Sequence, residues 1–153
     1  MSGLVLGVMT AGITLVVIGP RTVRFTGHSM EPTLQDDDRA LFIRLRGAPA
    51  RGDVVAMRYP RNPAKSFVMR VVGLPRERVS IADGIVAIDG RPLDEPYIPP
   101  ERRSHDTFGP LVLDADEYFV LADNRRNASD SREWGPVARR LIWARFYAIW
   151  WRR

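Results

Sequence analysis

The sequence predicts a mainly β domain with coiled or barrel-like antiparallel sheets, preceded by one N-terminal transmembrane helix. After residue 20 the apolar residues recur with period two or in short runs, which is typical of strands. Twelve glycines and twelve prolines divide these runs, and such frequent turn residues favour short strands over long helices. The first 20 residues instead form one uncharged, largely apolar segment. We therefore expect an anchor over residues 1–20 and a β domain over residues 21–153.

The composition indicates one domain of ordinary size. The chain has 153 residues, of which 45% are hydrophobic and 27% charged, so it is neither a disordered tail nor a multispanning membrane protein. The lack of cysteine excludes disulfides, thiol catalysis and cysteine-ligated zinc. Because His28 and His105 are the only histidines, we expect no multi-histidine metal centre and no cofactor.

The net charge of +5 comes from 22 arginines and a single lysine, Lys65, against 18 acidic residues. The arginines are scattered among the acidic residues, and no zinc-finger, basic-zipper or helix-turn-helix pattern is present. We therefore expect no nucleic-acid partner. An arginine-rich genome explains the charge, and a basic surface facing anionic lipid is the second interpretation.

The predicted anchor is centred on residues 3–19, which read GLVLGVMTAGITLVVIG. As a helix this segment would span about 26 Å, the short end of what crosses a bilayer. A cleaved secretory signal is the competing interpretation, but no basic side chain precedes the segment. A buried core helix is the third, and no polar face at helical spacing supports it.

Eight segments of the body are predicted strands, each bounded by Gly, Pro, Asp or Asn: RTVRFT, RALFIRL, DVVAMRY, FVMRVVGL, RVSI, IVAID, EYFVLAD and LIWARFYAIWW. Asp83-Gly84 predicts a hairpin turn, and Asp89-Gly90 marks the next reversal. Residues 91–110 are rich in proline and charge and are interpreted as an exposed excursion. The segment DNRRNASDSREWGP is a polar loop, and no helix longer than a turn or two is predicted after residue 20.

Three separated motifs carry the chemistry. The first is GHSMEPTL at residues 27–34, and the second combines RGDVV at 51–55 with FVMRVVGLP at 67–75. The third is DNR at 123–125, which runs on to SDSR at 129–132 and GPV at 135–137. In this order and at these intervals they resemble the bacterial signal peptidase I family, serine peptidases with a Ser/Lys dyad. The resemblance covers nearly the whole chain and implies β sheets of the signal peptidase type with an N-terminal anchor.

Ser29 is the predicted nucleophile. It leaves a strand and enters a turn shaped by Pro32, where its hydroxyl is accessible and its N–H can face a developing oxyanion. Gly27 carries no side chain, so a substrate backbone can approach closely. We assign Gly27, Met30 and Pro32 to substrate binding. An ordinary serine at the end of a strand is the alternative, and the other two motifs argue against it.

A serine hydroxyl needs a base, and in this family a neutral lysine in apolar surroundings takes the proton. The resemblance places that lysine immediately before Arg70, where this chain has Met69, and a thioether takes no proton at neutral pH. Ala128 stands where a serine hydroxyl would steady the lysine amine, and Ala122 where a glycine is expected. Three such changes favour divergence over a single introduced substitution.

Other side chains are considered as the general base. Arginine stays protonated. His28 precedes Ser29, and neighbouring strand residues point to opposite faces. His105 lies in the excursion and would have to fold back. Lys65 shares strand spacing with Met69, but four strand residues separate their Cα atoms by about 13 Å unless a bulge shortens the path. A solvated charge at the strand entrance is the favoured interpretation of Lys65, and its uniqueness in an arginine-rich chain keeps the alternative open.

The third motif is assigned a supporting role around the nucleophile, without metal ligands. The resemblance implies that Asp130 and Arg132 form a structural ion pair, although an exposed pair would contribute little to stability. The assigned supporting residues are Asp123, Asn124, Ala128, Asp130 and Arg132.

Three functions are compared. The resemblance implies a serine endopeptidase that removes signal peptides from exported preproteins, bound as an added strand along a sheet edge. The alternative is a catalytically impaired homologue that binds peptides or regulates a partner, which Met69 and Ala128 favour. A basic membrane protein without a peptide groove has the least support. The expected partners are signal-bearing preproteins and the lipid bilayer.

The expected location is the cell membrane, single-pass, with the β domain on the extracytoplasmic side. Arg21 and Arg24 follow the anchor, and the positive-inside rule would place the β domain in the cytoplasm. Two arginines that belong to a folded strand are a poor topology signal, so the resemblance decides. Trp150 and Trp151, followed by Arg152 and Arg153, are interpreted as an interfacial belt on the membrane side.

Overall fold

The computed structural model describes residues 16–18 and 22–152. Their strands, in chain order, are β1 (Val16–Ile18), β2 (Thr22–Arg24), β3 (Arg39–Arg44), β4 (Val54–Tyr59), β5 (Asn62–Gly73), β6 (Arg78–Ala82), β7 (Ile85–Ile88), β8 (Arg91–Pro92), β9 (Phe108–Val112), β10 (Glu117–Leu121), β11 (Val137–Ala138) and β12 (Ile142–Trp151). A short helix, α1 (Ser131–Trp134), and 3₁₀ helices at Pro100–Arg102 and Arg139–Leu141 complete the regular elements of these residues.

The strands form two antiparallel sheets. The larger has the order β1-β2-β3-β12-β4-β5-β10-β11, and the smaller has the order β8-β7-β6-β9. Strand β12 pairs with β3 on one side and with β4 on the other, so the last strand of the chain lies inside the larger sheet. The mainly β, antiparallel class expected from the sequence is confirmed.

Each of the eight predicted segments contains a strand of the structure. Strand β5 begins earlier than predicted, at Asn62, because it pairs with β4 from the hairpin onwards. Strands β8, β9 and β11 were not predicted. Two of these have only two residues and cannot display a period, and β9 contains Gly109 and Pro110, which conceal the strand pattern.

The predicted anchor over residues 1–20 lies mostly outside the described residues. Within it, Val16–Ile18 form strand β1, paired antiparallel with β2, so these three residues are not the end of a helix as expected. A run of β-branched residues such as Val-Val-Ile favours an extended backbone. The helices found over residues 16–18 and 22–152 lack the length and hydrophobicity of a membrane span.

Buried apolar side chains lie on both faces of the larger sheet. One core cluster contains Val54 and Val68 together with residues of the first motif. A second contains Val55 and Met69 together with residues of β10, and a third joins the smaller sheet to the larger one. Since side chains alternate along a strand, neighbouring residues of β5 face different clusters.

Both predicted hairpin turns are present. Asp83 and Gly84 have φ of 48° and 76°, and Asp89 and Gly90 have φ of 50° and 78°. Positive φ at two consecutive residues is the geometry of the two-residue hairpin turn that Asp-Gly predicts.

The segment 91–110 is exposed only in part, which differs from the expected excursion. Glu95 and Ile98 are buried, because the segment folds back over the molecule. Arg125 N donates to Arg102 O (3.1 Å), and Gly84 N donates to Asp106 O (2.9 Å). Proline and charge content alone did not reveal these partners.

Candidate active site

Ser29 lies in the turn that follows β2. Leu34 N donates a hydrogen bond to Met30 O (2.9 Å), and the side chains of Met30 and Leu34 are fully buried in the first core cluster. These two residues hold the turn, while Ser29 keeps 8% of its surface exposed. Its Oγ is buried, and not accessible as expected, because the turn packs against the core. The hydroxyl has no hydrogen-bond partner among the described residues, so no other group of that part of the chain occupies it.

The three residues assigned to substrate binding differ in their placement. Gly27 has φ of 108°, a conformation that favours glycine, and its N–H donates to Asp36 Oδ1 (2.8 Å). Pro32 is exposed in the turn, whereas Met30 packs into the core. The contribution of Met30 is therefore to anchor the turn to the hydrophobic core.

Asn124 holds the backbone on both sides of the Ser29 peptide unit. Its N–H donates to Ser29 O (2.9 Å), and its side-chain Nδ2 donates to His28 O (3.1 Å). Asn124 itself is buried. The third motif therefore contacts the first directly, across 96 positions of sequence.

A buried ion pair joins all three motifs. Arg70 Nε donates to Asp123 Oδ1 (2.8 Å), and Arg70 Nη2 donates to Asp123 Oδ2 (2.6 Å) and to Thr33 Oγ1 (3.1 Å). Arg70 Nη1 donates to Gly52 O (2.8 Å). Burial alone would lower the pKa of the Arg70 guanidinium, but the hydrogen bonds and charge of Asp123 raise it above its usual value. The Arg70 guanidinium therefore stays protonated.

Met69 lies on the opposite face of β5 from Arg70. Its side chain is fully buried, in the apolar cluster that also contains Val55 and Ala122 and against which Ala128 packs. The structure thus places Met69, Ala122 and Ala128, the three positions singled out in the sequence, in one cluster. That cluster of apolar side chains offers no proton acceptor at residue 69.

The other weighed bases are engaged or distant. His28 lies in the turn and not in a strand, so the alternation argument does not apply; its exposed ring pairs instead with Glu31, with Nδ1 and Oε1 2.6 Å apart. His105 pairs with Asp83 at 2.7 Å. Lys65 is half-buried. It lies within the irregular pairing of β4 with β5 between Asn62 and Ser66, and the pairing is regular from Ser66 to Met69.

Asp130 and Arg132 form an ion pair with 2.7 Å between Nη2 and Oδ2. Asp130 caps α1, because its Oδ1 accepts from Arg132 N (3.1 Å), and its Oδ2 accepts from Ala122 N (3.2 Å). Burial alone would lower the pKa of Arg132, and the Asp130 carboxylate raises it. Ser129, which follows Ala128, donates to Glu133 at the surface, so its hydroxyl is used elsewhere.

Sequence reasoning missed the buried charges contributed by residues 91–110. Arg125 Nη1 donates to Glu95 Oε2 (3.0 Å), and Tyr97 Oη donates to Glu95 Oε1 (2.8 Å). The Arg70 guanidinium carbon lies 3.9 Å from the centre of the Tyr97 ring. The sequence gives no signal for these contacts beyond the presence of charge. Among the described residues, no group of three acidic or histidine side chains is placed to hold a metal ion.

The comparisons with known proteins identify the family. Residues 1–151 match the family model described as "Signal peptidase, peptidase S26". The chain therefore belongs to this family of signal peptidases, which confirms the resemblance carried by the three motifs.

Several relatives agree with this membership. The chain is 37% identical to signal peptidase I of Leptolyngbya laminosa, an alignment that covers 98% of this chain and 81% of that protein. It is 36% identical to the probable signal peptidase I-2 of Synechocystis sp., over 94% of this chain and 68% of that protein. Signal peptidase I of Bacillus amyloliquefaciens is 33% identical, over 69% of this chain and 62% of that protein.

The fold is also similar to a solved structure. A signal peptidase I of Enterococcus faecalis superimposes with a TM-score of 0.55 at 29% identity, covering 64% of this chain and 96% of that chain. The antiparallel sheets described above are therefore those of a signal peptidase I fold.

Proposed function

We propose that this chain is a signal peptidase I-type serine endopeptidase of the membrane surface, with signal-bearing preproteins as its substrates and Ser29 as its nucleophile. The observation that carries the proposal is the convergence of three distant motifs on the Ser29 turn through Arg70, Asp123 and Asn124. Membership of the signal peptidase family supports both the chemistry and the substrate class.

Strand β5 supports the binding of an extended peptide. Strand β10 pairs with β5 only from Arg70 to the end of β5, and Leu121 lies opposite Arg70. Over the described residues, the part of β5 before Arg70 pairs only with β4. A peptide could add to this free edge through main-chain hydrogen bonds. Residues 122–124 lead from the edge to the backbone of Ser29, so a peptide on β5 would pass close to the hydroxyl.

Cleavage requires two proton transfers. As Ser29 Oγ attacks the scissile carbonyl carbon, its proton must go to an acceptor, and the N–H of Ser29 is suited to stabilise the oxyanion. The same acceptor then returns a proton to the leaving amine, and water hydrolyses the acyl intermediate. A group that shuttles this proton is therefore as necessary as the nucleophile.

We propose that proton transfer is the weak step in this chain. Met69 stands at the position that the family resemblance gives to the base, and a thioether accepts no proton at neutral pH. A lysine there would be buried among apolar side chains, and desolvation would lower its pKa towards neutrality. Because general-base assistance contributes about 10²- to 10⁴-fold in rate, we expect slow cleavage or none, with folding and peptide binding intact.

Reintroducing the base tests this proposal. Met69→Lys, alone and together with Ala128→Ser, should raise cleavage of a signal-bearing precursor, and adding Ser29→Ala should then abolish it. Met57→Lys is the matched control, because Met57 is equally buried in the same cluster. It should give no cleavage, because the position of the base keeps its thioether.

Lys65→Ala decides the competing assignment and should leave cleavage unchanged. Efficient cleavage by the unaltered chain that disappears in Lys65→Ala would make Lys65 the base and overturn the role of position 69. No cleavage by any Met69→Lys variant that folds and binds the precursor would reject the proposed reaction.

A catalytically impaired homologue that binds peptides is the second candidate, favoured by Met69 and Ala128 at the positions that the resemblance gives to the base and its hydroxyl partner. Saturable binding of a signal peptide without cleavage, in the unaltered chain and in the restored variants alike, would select it. We also propose a single-pass location with the β domain outside the cytoplasm. Protection of the β domain from protease added to the cytoplasmic side tests this orientation.

A further inference from the structure

Residues 95–102, here called the strap, bring buried charge to the site although the proposed chemistry does not use it. Glu95 and Arg125 are both buried, and Arg125 donates through both Nη atoms to the Glu95 carboxylate. Arg125 Nε also donates to Ala122 O (2.7 Å). Such a two-point contact fixes the orientation of the guanidinium as well as its position, and Arg125 directly follows Asn124.

Tyr97 connects the same carboxylate to the second motif. Its hydroxyl donates to Glu95 (2.8 Å), and its ring stacks on the Arg70 guanidinium at 3.9 Å. Burial raises the pKa of the Tyr97 hydroxyl, and the negative charge of Glu95 raises it further, so the hydroxyl remains a donor at neutral pH.

Arg102 connects the other end of the strap to the Ser29 turn. Its carbonyl oxygen accepts from Arg125 N (3.1 Å), and its Nη2 lies 2.7 Å from Glu31 Oε2. Glu31 is two residues after Ser29. The contacts therefore close a ring that runs from the turn through Arg102 and Arg125 to Asn124, which binds the Ser29 carbonyl.

We propose that the strap is a positioning element, in which Glu95 and Tyr97 hold the 122–125 loop and Arg70 in register with the Ser29 turn. The part of this inference that concerns cleavage rests on the proposed function. A buried ion pair is a poor source of stability, because desolvation offsets much of its attraction. Compared with apolar side chains, the charged pair adds a fixed orientation of Arg125 and, through Arg125, of Asn124.

Hydrogen exchange of the full-length chain in detergent tests the positioning role without requiring activity. Glu95→Gln keeps the shape of the side chain and removes its charge. We expect about tenfold faster exchange in peptides covering 122–127 and 27–34, since hydrogen bonds to charged groups contribute about this factor or more. Peptides of β4 and β12 should exchange as before.

Glu77→Gln is the matched control. Glu77 forms a two-point pair with Arg51, with 2.9 Å between Oε2 and Nη1, which is more exposed than the Glu95–Arg125 pair and, within the described part of the chain, makes no hydrogen bond to the strap. It should leave exchange in 27–34 and 122–127 unchanged. Equal effects of the two variants, or no effect of Glu95→Gln in these peptides, would show that the strap is only structural and overturn the proposal.

Tyr97→Phe keeps the test decisive if Glu95→Gln fails to fold. It removes one hydrogen bond and retains the ring on Arg70, and we expect faster exchange in the same two peptides by a smaller factor. Unchanged exchange in a folded Tyr97→Phe, together with an unfolded Glu95→Gln, would assign the strap to stability alone.

Kinetics provide the second readout, in whichever background cleaves the precursor. Glu95→Gln should lower kcat about tenfold and leave KM nearly unchanged, since misplacement of reacting groups affects the transition state. A rise in KM alone would contradict a positioning role. If no background cleaves, the proposed reaction fails, and the exchange experiment still decides the role of the strap.

Discussion

Arg70 links residues of all three motifs through one side chain. Its guanidinium contacts Thr33, Gly52 and Asp123 and stacks on Tyr97. A charge in such a buried place is tolerated only when its partners are complete. The position of Met69 follows from the same residue, because fixing Arg70 on one face of β5 fixes its neighbour on the other.

Asp123→Asn should destabilise the protein by about 3–5 kcal/mol, the usual cost of leaving one partner of a buried pair uncompensated. Asp123 is completely buried and shares Arg70 with no other carboxylate in the contacts described above. Urea unfolding in detergent measures the change. Asp37→Asn, which breaks a more exposed pair with Arg24, should cost less than about 1 kcal/mol. Similar costs for the two variants would contradict this view of Arg70.

Tyr97 predicts an alkaline limit to stability. Its folded pKa is raised, first by burial and then by Glu95, whereas in the unfolded chain it ionises near a pKa of about 10. Its stabilising contribution is complete below that pH and is lost as the pH rises towards the folded pKa. The stability of the unaltered protein relative to Tyr97→Phe should therefore stay constant below about pH 10 and fall as the pH rises above it. A constant difference in unfolding free energy would show that Tyr97 is not perturbed.

The sequence predicted the residues that belong to a recognisable motif. It did not predict the residues whose role depends on tertiary contacts. Ser29, Asp123 and Asn124 stand at positions where residue type and spacing carry the role. Glu95 is buried and Tyr97 half-buried only because Arg125 and Arg70 lie opposite them, and no local sequence pattern predicts these contacts. The same reason explains why residues 91–110 were expected to be exposed.

At the scale of elements, local pattern predicted the strands and missed their order. Period-two runs and Asp-Gly turns located β6 and β7 and their hairpin. The insertion of β12 between β3 and β4 depends on pairing across distant parts of the chain, which the residues of a single strand do not encode. Short strands such as β11 arise from the pairing partner alone.

Gly84→Ala should destabilise the contact between the β6–β7 hairpin and residues 104–106. A Cβ at Gly84 would lie 1.9 Å from Ser104 O, and a backbone atom cannot move away without displacing the segment. Gly90 is the control, because it has a similar positive φ and a Cβ there would meet nothing within 4 Å. Gly90→Ala should cost about 1–2 kcal/mol from its conformation alone, and Gly84→Ala clearly more in chemical unfolding. Equal costs would mean that the segment is not docked on the hairpin.

One row of paired residues crosses four neighbouring strands of the larger sheet, β1, β2, β3 and β12. Trp151 lies opposite Arg39, Arg39 opposite Arg24, and Arg24 opposite Val16. At about 4.8 Å per strand, Trp151 and Val16 have Cα atoms about 14 Å apart. Val16 belongs to the predicted anchor segment. The C-terminal tryptophans therefore lie at the same end of the strands as the chain that leaves this segment.

Trp150 and Trp151 are predicted to contact the bilayer. Both indoles are exposed, by 57% and 38%, and the Arg39 guanidinium lies within 6.0 Å of each ring. Paired indoles beside a cation are suited to the headgroup region, where amphipathic rings and phosphates meet. In vesicles of brominated lipid, the tryptophan fluorescence of the full-length protein should be quenched, and Trp150→Phe with Trp151→Phe should remove most of that quenching. Trp143→Phe should not, because Trp143 packs against the first core cluster. Quenching that survives the double substitution and disappears in Trp143→Phe would place a different face of the sheet on the membrane.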